Sequence, residues 1–412
     1  MSKDRSILMP LTVKLRLELT EEQNLQYLDL MKQFANLRNE HVRIAMETNC
    51  FNQFKLYADT YKPLRELYPH IPSALFAAAR ISVCDAFKGL HTRQRKVADR
   101  IKWYQSRKKK IYSRLQKQYD KLMSAIPTFN ETSSIPLAYG ICYDIDQQNR
   151  SISLISLNKR QHIRYTTCKR NVDRLAHMQA IGESTLVYNK NNKQFYLYVA
   201  VYVFKANYRK GIAIGVDQGV INPLVTSDNE KFGEDGLCEY LEKHDKVTSR
   251  YQRVADGEGN RHATRQHAKR HLKQSSGRRK RFTNDWCHRT SKKFITYCLA
   301  HGISDVYLEK LLGIKSKVKW RPDGLRKTLH HWPQALLVRY IVYKAELAGI
   351  RMHFVKPAYT SLTCSKCGKR DVNGRVSRGV FLCSSCGTID ADYNAAKNIF
   401  VLGCIQEAKK AA

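Results

Sequence analysis

The feature that most constrains the fold lies near the carboxyl terminus, where two Cys-x-x-Cys pairs are separated by fifteen residues. The pairs are Cys364 with Cys367 and Cys383 with Cys386. Four thiolates at this spacing predict a tetrahedral Zn²⁺ site in a zinc ribbon over residues 362–387. Because four protein ligands leave no open coordination position, we expect this Zn²⁺ to be structural.

A strong positive charge indicates a polyanionic partner. The chain of 412 residues carries 72 Lys and Arg against 36 Asp and Glu, a formal charge of +36. Such a field attracts nucleic acid over a long range. A membrane fits less well, because no segment approaches the ~20 apolar residues of a spanning helix. The amino-terminal residues carry no secretion signal, so we expect a cytoplasmic, nucleoid-associated protein.

Hydrophobic periodicity changes along the chain and predicts a multidomain α+β protein. Alternating apolar residues before residue 19 predict a strand, and Thr20 with Gln23 has the capping-box spacing of a helix start. Helical periodicity continues to about residue 124 and ends in a basic helix, Thr92 to Leu122, suited to tracking phosphates. Short strands up to residue 210, from Gly140–Tyr143 to a hairpin of Thr185–Tyr188 with Gln194–Phe204, predict a small β-barrel. The mixed pattern beyond it predicts an α/β unit that carries the ribbon as an insertion.

Three acids stand where metal chemistry is expected. Asp217 and Glu309 each follow an apolar run, which predicts carboxylates at the ends of two strands. Asp392 stands at the start of a predicted helix, where it would ordinarily serve as a cap, and Asp390 is its rival. Acids from two strands and a helix form the arrangement expected of a ribonuclease H-like (RuvC) nuclease. In that arrangement they hold two Mg²⁺ ions ~3.5–4 Å apart.

Around these acids the sequence resembles the TnpB family of transposon-encoded RNA-guided nucleases and the compact type V CRISPR effectors similar to them. Gly215-Val-Asp217-Gln-Gly-Val resembles the first RuvC motif, Leu308-Glu309-Lys-Leu the second, and Asp390-Ala-Asp392-Tyr-Asn-Ala-Ala-Lys-Asn-Ile399 the third. Gln218 and Lys310 depart from the pattern, since the family often has leucine and an acid there. Neither departure removes a predicted metal ligand.

The resemblance implies a domain order and a set of partners. Residues 1–18 and 125–210 would form a wedge domain, 19–124 a helical recognition lobe, 211–361 and 388–412 the nuclease, and 362–387 the target-nucleic-acid-binding ribbon. A guide RNA would pair with one strand of double-stranded target DNA beside a short flanking motif read by the protein. Both DNA strands would then be cut in turn at one site.

Several alternatives stay open. Arg375 is expected to contact scissile DNA by analogy with the family, although a generic phosphate contact fits a lone arginine equally well. A nuclease-inactive RNA-guided repressor would have lost one or more of the acids, and an accessory zinc-ribbon protein would leave them without a role. A CRISPR effector of the same chemistry differs from the transposon form in its RNA and genomic surroundings, and the compact chain favours the transposon form. The sequence decides neither the oligomeric state nor the cut pattern.

Overall fold

The computed structural model describes residues 7–107, 113–234, 236–311, 332–356, 359–377 and 379–411. The chain divides into two compact units, Met1–Phe204 and Lys205–Ala412. Each unit contains a sheet and helices, which confirms the mixed α and β content predicted from periodicity. None of the helices within the described ranges is long and apolar enough to cross a membrane.

A seven-stranded antiparallel sheet forms the base of the first unit, in the order β2-β6-β7-β1-β5-β4-β3. Every second residue of β7 is buried, as its period of two predicts, and β6 pairs with β7 in the predicted hairpin. The strand predicted at 140–143 is wrong, because Gly140 has a φ of 78° and the strand begins at Tyr143. Closure into a β-barrel stays a prediction. The strands are β1 (Leu8–Glu18), β2 (Ile135–Leu137), β3 (Tyr143–Asp146), β4 (Ser151–Leu154), β5 (Gln161–Thr166), β6 (Met178–Asn189) and β7 (Gln194–Phe204).

Helices follow β1 and begin as the sequence predicts. The Gln23 N–H donates to the Thr20 hydroxyl at 3.2 Å and the Thr20 N–H donates to the Gln23 side chain at 3.0 Å, which confirms the capping box. The single basic helix predicted from Thr92 to Leu122 is wrong, because one helix ends at Ser106 and the next begins at Ser113. Part of that segment, residues 108–112, lies outside the described residues. The helices are α1 (Glu21–Glu47), α2 (Lys55–Leu67), α3 (Ser73–Ser106), α4 (Ser113–Met123) and α5 (Lys169–Ala176).

The core of the first unit lies between the sheet and the helices. Leu15 of β1 and Leu197 of β7 belong to one buried cluster with Phe34 of α1 and Phe76 of α3. These side chains are at most 1% exposed, and burying each stabilises the fold by roughly 1.5–3 kcal/mol.

The second unit contains a five-stranded mixed sheet in the order β10-β9-β8-β11-β12. Strands β8, β11 and β12 run parallel, whereas β9 and β10 are antiparallel to their neighbours. The elements are β8 (Ile212–Asp217), β9 (Leu224–Thr226), β10 (Lys231–Phe232), α6 (Leu237–Asp256), α7 (His262–Ser275), α8 (Arg278–Ala300), β11 (Ile303–Glu309), α9 (Gln334–Leu347), β12 (Arg351–Val355), β13 (Val380–Cys383), β14 (Gly387–Asp390) and α10 (Ala391–Ala411).

Helix α10 packs directly on strand β8. A Cβ atom at Gly215 would lie 2.2 Å from the carbonyl oxygen of Ala396 and 2.5 Å from the nitrogen of Phe400. Only a residue without a side chain allows this approach. The packing brings the first turn of α10 to the carboxyl end of β8.

Candidate metal centre

Two of the predicted acids end neighbouring parallel strands. Asp217 is the last residue of β8 and Glu309 is the last residue of β11. The register pairs Val216 with Leu308. The next residues, Asp217 and Glu309, therefore lie at the same edge of the sheet. In open sheets that contain parallel strands, this carboxyl edge is where ligands bind.

The third acid reaches this edge from α10. Asp392 lies in the first turn of the helix, and its side chain is 13% exposed. The Asn222 amide donates to one of its carboxylate oxygens at 3.0 Å, and the Arg375 guanidinium donates to the other at 3.0 Å. Both oxygens of Asp392 therefore have partners that fix the carboxylate.

The electrostatics place the three acids in one neighbourhood. Burial, and then the negative charges of Glu309 and Asp392, raise the pKa of Asp217 to about 7. The backbone N–H of Gln218 and the charge of Arg375 oppose this rise. Burial also raises the pKa of Glu309, against a hydrogen bond from Thr360. Neighbouring negative charges that disfavour each other's ionised form favour the binding of a cation between them.

Asp390, the rival of Asp392, has other partners. Its side chain accepts hydrogen bonds from the backbone N–H groups of Asp392 and Tyr393, both at 3.0 Å, and so caps α10. It also pairs with Lys231 at 3.3 Å. Burial alone would raise the pKa of Asp390, but these hydrogen bonds and the lysine charge hold it below the ordinary value. The arrangement favours Asp392 as the third ligand.

The four predicted cysteines come together in the ribbon. The sulfur atoms of Cys364, Cys367, Cys383 and Cys386 all lie within 4.8 Å of one another. Strands β13 and β14 form the hairpin that carries the second pair. Four sulfur donors in one cluster match the tetrahedral site that Zn²⁺ prefers. Across the described ranges, no other group of three or more His, Cys, Asp or Glu residues has ligand atoms this close together.

Arg375 lies beside Asp392, and its predicted contact with DNA stays a prediction. Its guanidinium pairs with Asp392, and its charge lowers the pKa of Asp217. The backbone of Arg375 bridges to Phe381 on β13, so the ribbon holds this arginine next to Asp392.

Sequence reasoning missed the neutral groups that hold the acids. Thr360 donates its hydroxyl to the Glu309 carboxylate, and Gln218 donates its amide to the Glu309 carbonyl at 3.0 Å. Gln218 in turn accepts from the Gln334 amide at 2.9 Å, so the departure from the family's usual leucine has a structural role here. Hydroxyl and amide side chains in loops carry no spacing signal, although Gln218 beside Asp217 stood out as a departure.

Comparison with protein families gives two partial matches. The family described as Cas12f1-like, TNB domain, matches residues 335–399, and the probable transposase family OrfB_IS605 matches residues 196–315. The two matched ranges contain all three candidate carboxylates and the four cysteines.

Curated relatives each match about a quarter of this chain. A TnpB-like protein of Methanocaldococcus jannaschii is 33% identical over 105 residues, which cover 25% of this chain and 37% of that protein. The CRISPR-associated endodeoxyribonuclease Cas12f1 of Sulfoacidibacillus thermotolerans is 31% identical over 115 residues, covering 28% of this chain and 26% of that protein. The chain thus spans only about a quarter to a third of the length of these relatives.

Solved structures share the fold over nearly the whole chain. The mini-RNA-guided endonuclease CRISPR-Cas_phi3 superposes with a TM-score of 0.57 at 9% identity, covering 96% of this chain and 92% of that one. CasPhi-2 (Cas12j) bound to crRNA and phosphorothioate-DNA gives a TM-score of 0.54 at 10% identity, covering 96% and 91%. At such identities the likeness concerns the fold alone.

The family matches and the curated relatives show a resemblance to the class of compact type V effectors. Within that class the resemblance to TnpB, drawn from the motifs around Asp217, Glu309 and Asp392, is confirmed by the transposase family and by the TnpB-like relative.

Proposed function

We propose that this chain is a Mg²⁺-dependent, RNA-guided endonuclease that cuts both strands of guide-matched DNA at a single RuvC-like site. The convergence of Asp217, Glu309 and Asp392, from two paired strand ends and a helix packed on one of them, is the observation that carries the proposal. The Cas12f1 relative, named an endodeoxyribonuclease, supports this class of activity. The predicted wedge, recognition and nuclease domains are part of the same proposal.

The three acids would hold two Mg²⁺ ions. Their oxygen donors suit a hard cation, and the charge that raises the pKa of Asp217 is the charge that a cation compensates. The bound ions would activate a water molecule and stabilise the leaving oxygen of the phosphodiester. The ligand atoms of the three carboxylates do not all lie within 4.8 Å of one another, as the cysteine sulfurs do. This wider separation suits two ions better than one.

Neighbouring side chains would prepare the site for a phosphate. Asn222 and Thr360 orient Asp392 and Glu309 through hydrogen bonds. Arg375 pairs with Asp392. Once a cation neutralises that carboxylate, the guanidinium would be free to bind the scissile phosphate instead. The Zn²⁺ of the cysteine cluster would keep the ribbon folded and thereby hold Arg375 in place.

Exposed basic side chains would bind the guide RNA and the target DNA by their backbones. One group lies on α3 and at its carboxyl-terminal cap, and another lies on the helices between β10 and β11. The side chains are Arg93, Arg95, Lys96, Arg100, Lys102 and Arg107 in the first group, and Lys269, Arg270, Lys273, Arg278, Lys280 and Arg281 in the second. Phosphate contacts of this kind set affinity, while base pairing with the RNA would set sequence.

The test uses the full chain purified with its co-expressed RNA. Sequencing that RNA and supplying matched DNA beside a randomised flank should reveal cleavage of both strands that requires Mg²⁺ and stops in EDTA. Asp217→Ala should bind the DNA without cutting it, whereas Glu258→Ala, an exposed acid between α6 and α7, should cut normally.

Two results would contradict the proposal. Binding of matched DNA by the unmodified protein without cleavage would favour the repressor alternative. Cleavage that persists in Asp217→Ala would reject the metal site. The origin of the copurifying RNA separates the transposon form, which the TnpB-like relative supports, from a CRISPR effector.

A further inference from the structure

The orientation of Glu309 depends on a neighbouring loop. Glu309 is 8% exposed, and the Thr360 hydroxyl donates to its Oε1 atom. Gln218 donates only to the backbone carbonyl of Glu309, so it holds the strand end rather than the carboxylate. Thr360 is itself buried at 7% exposure. The rotamer of Glu309 is therefore tied to the position of Thr360.

Two asparagines of α10 hold the loop that contains Thr360. The Asn398 amide donates to the carbonyl oxygens of Thr360 at 2.9 Å and Thr363 at 2.7 Å. Asn394 donates to the same Thr363 oxygen at 2.7 Å and accepts from the N–H of Ser365 at 2.7 Å. Separated by four residues, the two asparagines lie on one face of the helix.

These asparagines are deeply buried, at 0% exposure for Asn394 and 9% for Asn398. Burying an amide destabilises the fold unless the amide forms hydrogen bonds. Here both amides form them with one short loop. The loop also contains Tyr359, whose φ of 62° lies in the left-handed region that an aromatic residue rarely adopts. Such a conformation persists when the surrounding contacts hold it.

The same loop leads directly into the zinc ribbon. Cys364 follows Thr363, and its knuckle is closed by hydrogen bonds from the Cys364 N–H to Lys369 and from the Gly368 N–H to Cys364, both at 2.9 Å. Helix α10 thus carries the acid Asp392 and, two and six residues later, the amides that bind the start of the ribbon. Helix α10 therefore carries one acid, Asp392, and holds the loop whose Thr360 contacts the second acid, Glu309, and which leads into the cysteine cluster.

We propose that Asn394 and Asn398 clamp the zinc knuckle to α10 and so place the Thr360 hydroxyl on Glu309, which makes Thr360 a positioning residue for the metal-binding carboxylate. This inference rests on the proposed function, since it assigns Glu309 to a divalent cation. It implies that the Zn²⁺ ribbon contributes to the geometry of the Glu309 carboxylate as well as carrying Arg375.

The test compares Thr360→Val, which removes the hydroxyl at nearly constant shape, with Thr360→Ser, which keeps it. The full-length, zinc-loaded protein with its RNA is titrated with Mn²⁺ by calorimetry, and zinc content and melting temperature are recorded. Thr360→Val should weaken Mn²⁺ binding by about tenfold, the effect of losing one hydrogen bond to a charged group. Thr360→Ser should restore binding, and Thr388→Val, on an exposed ribbon position, should bind like the unmodified protein.

Two results for the Thr360 variants overturn the inference. Unchanged Mn²⁺ affinity in Thr360→Val would show that the hydroxyl does not position Glu309. Equal weakening in the valine and serine variants would assign the effect to packing. A double-mutant cycle adds a second measurement: Asn398→Ala should weaken Mn²⁺ binding, and adding it to Thr360→Val should cause little further loss. Fully additive losses would contradict a shared path.

Glu309→Gln separates this inference from the proposed function. If Glu309→Gln also leaves Mn²⁺ affinity unchanged, the assignment of Glu309 to the metal site fails, and the positioning inference fails with it. If Glu309→Gln weakens binding and Thr360→Val does not, only the positioning inference fails.

Discussion

Asp217 is held in an environment that disfavours its charge. Burial and two neighbouring carboxylates raise its pKa to about 7, so the ionised side chain destabilises the metal-free fold. In the unfolded chain the same group ionises near pH 4. Between these values the folded state binds the extra proton, and the contribution of Asp217 to stability falls as the pH rises. An acid kept at such a position indicates a role other than stability.

Asp217→Asn should therefore stabilise the metal-free protein above pH 7 by a few kcal/mol, on the order of 3, because it removes the buried charge. The difference should shrink as the pH falls toward 4, where Asp217 is protonated in both states. Thermal melts in a chelator at pH 5 and pH 8 measure it. Equal melting temperatures at pH 8 would show that burial and the neighbouring acids do not penalise the charge of Asp217.

The predicted site residues were accessible from sequence because acids at the ends of apolar strands are unusual. Asp217 and Glu309 stood out for that reason, and the cysteine pairs stood out by spacing. Thr360, Asn222 and Asn398 were missed because their partners are distant in sequence and their side chains resemble ordinary turn or helix residues. Asp390 could not be separated from Asp392 until the backbone N–H groups it caps were known.

At the scale of elements, the contact between β8 and α10 sets the geometry of the site. Gly215 lies two residues before Asp217, and its Cα faces the backbone of α10. Any side chain there must push the helix away from the strand, and Asp392 with it. The glycine of this motif is thus explained by packing, and it affects the candidate metal site only through the position of α10.

Gly215→Ala should destabilise the protein by about 3 kcal/mol, the upper part of the range for overpacking a core. It should also weaken Mn²⁺ binding, because α10 carries Asp392. Gly89→Ala is the matched control, since no atom lies within 4 Å of its Cβ position in α3. In that helix, alanine should stabilise by about 0.5–1 kcal/mol. Chemical denaturation measures both, and a Gly215→Ala protein as stable as the unmodified one would refute the close packing.

Element boundaries were the part of the fold that periodicity predicted least well. The basic segment after Thr92 has an unbroken helical pattern, yet α3 ends at Ser106. Charge and periodicity alone contain no signal for that end, since neither glycine nor proline marks it. The start of α1 was predicted correctly because its capping box is a local chemical signal.

At the scale of the whole molecule, the ribbon carries both the cysteine cluster and Arg375, which pairs with the candidate ligand Asp392. Replacing Cys364 and Cys383 by serine should abolish Zn²⁺ binding and unfold the ribbon, because structural zinc sites contribute on the order of 10 kcal/mol of folding free energy. Zinc content by elemental analysis and proteolysis of residues 362–387 test this. A variant that retains one equivalent of zinc would rule out the four-cysteine site.

The positive charge predicts a strong dependence of nucleic-acid binding on salt. Changing Lys96 and Arg100 of α3 to glutamine should reduce the slope of log affinity against log salt by roughly 1–2, since each phosphate contact contributes about 0.7–0.9. Affinity for RNA and for DNA, measured by filter binding from 50 to 300 mM salt, gives the slope for each. An unchanged slope for both nucleic acids would show that these side chains do not contact phosphates.

The most direct test of the central claim is anomalous X-ray scattering from crystals of the protein soaked in Mn²⁺. We expect two Mn²⁺ peaks about 3.5–4 Å apart, contacted by the carboxylate oxygens of Asp217, Glu309 and Asp392. Mn²⁺ bound elsewhere, with no peak between these three side chains, would contradict it.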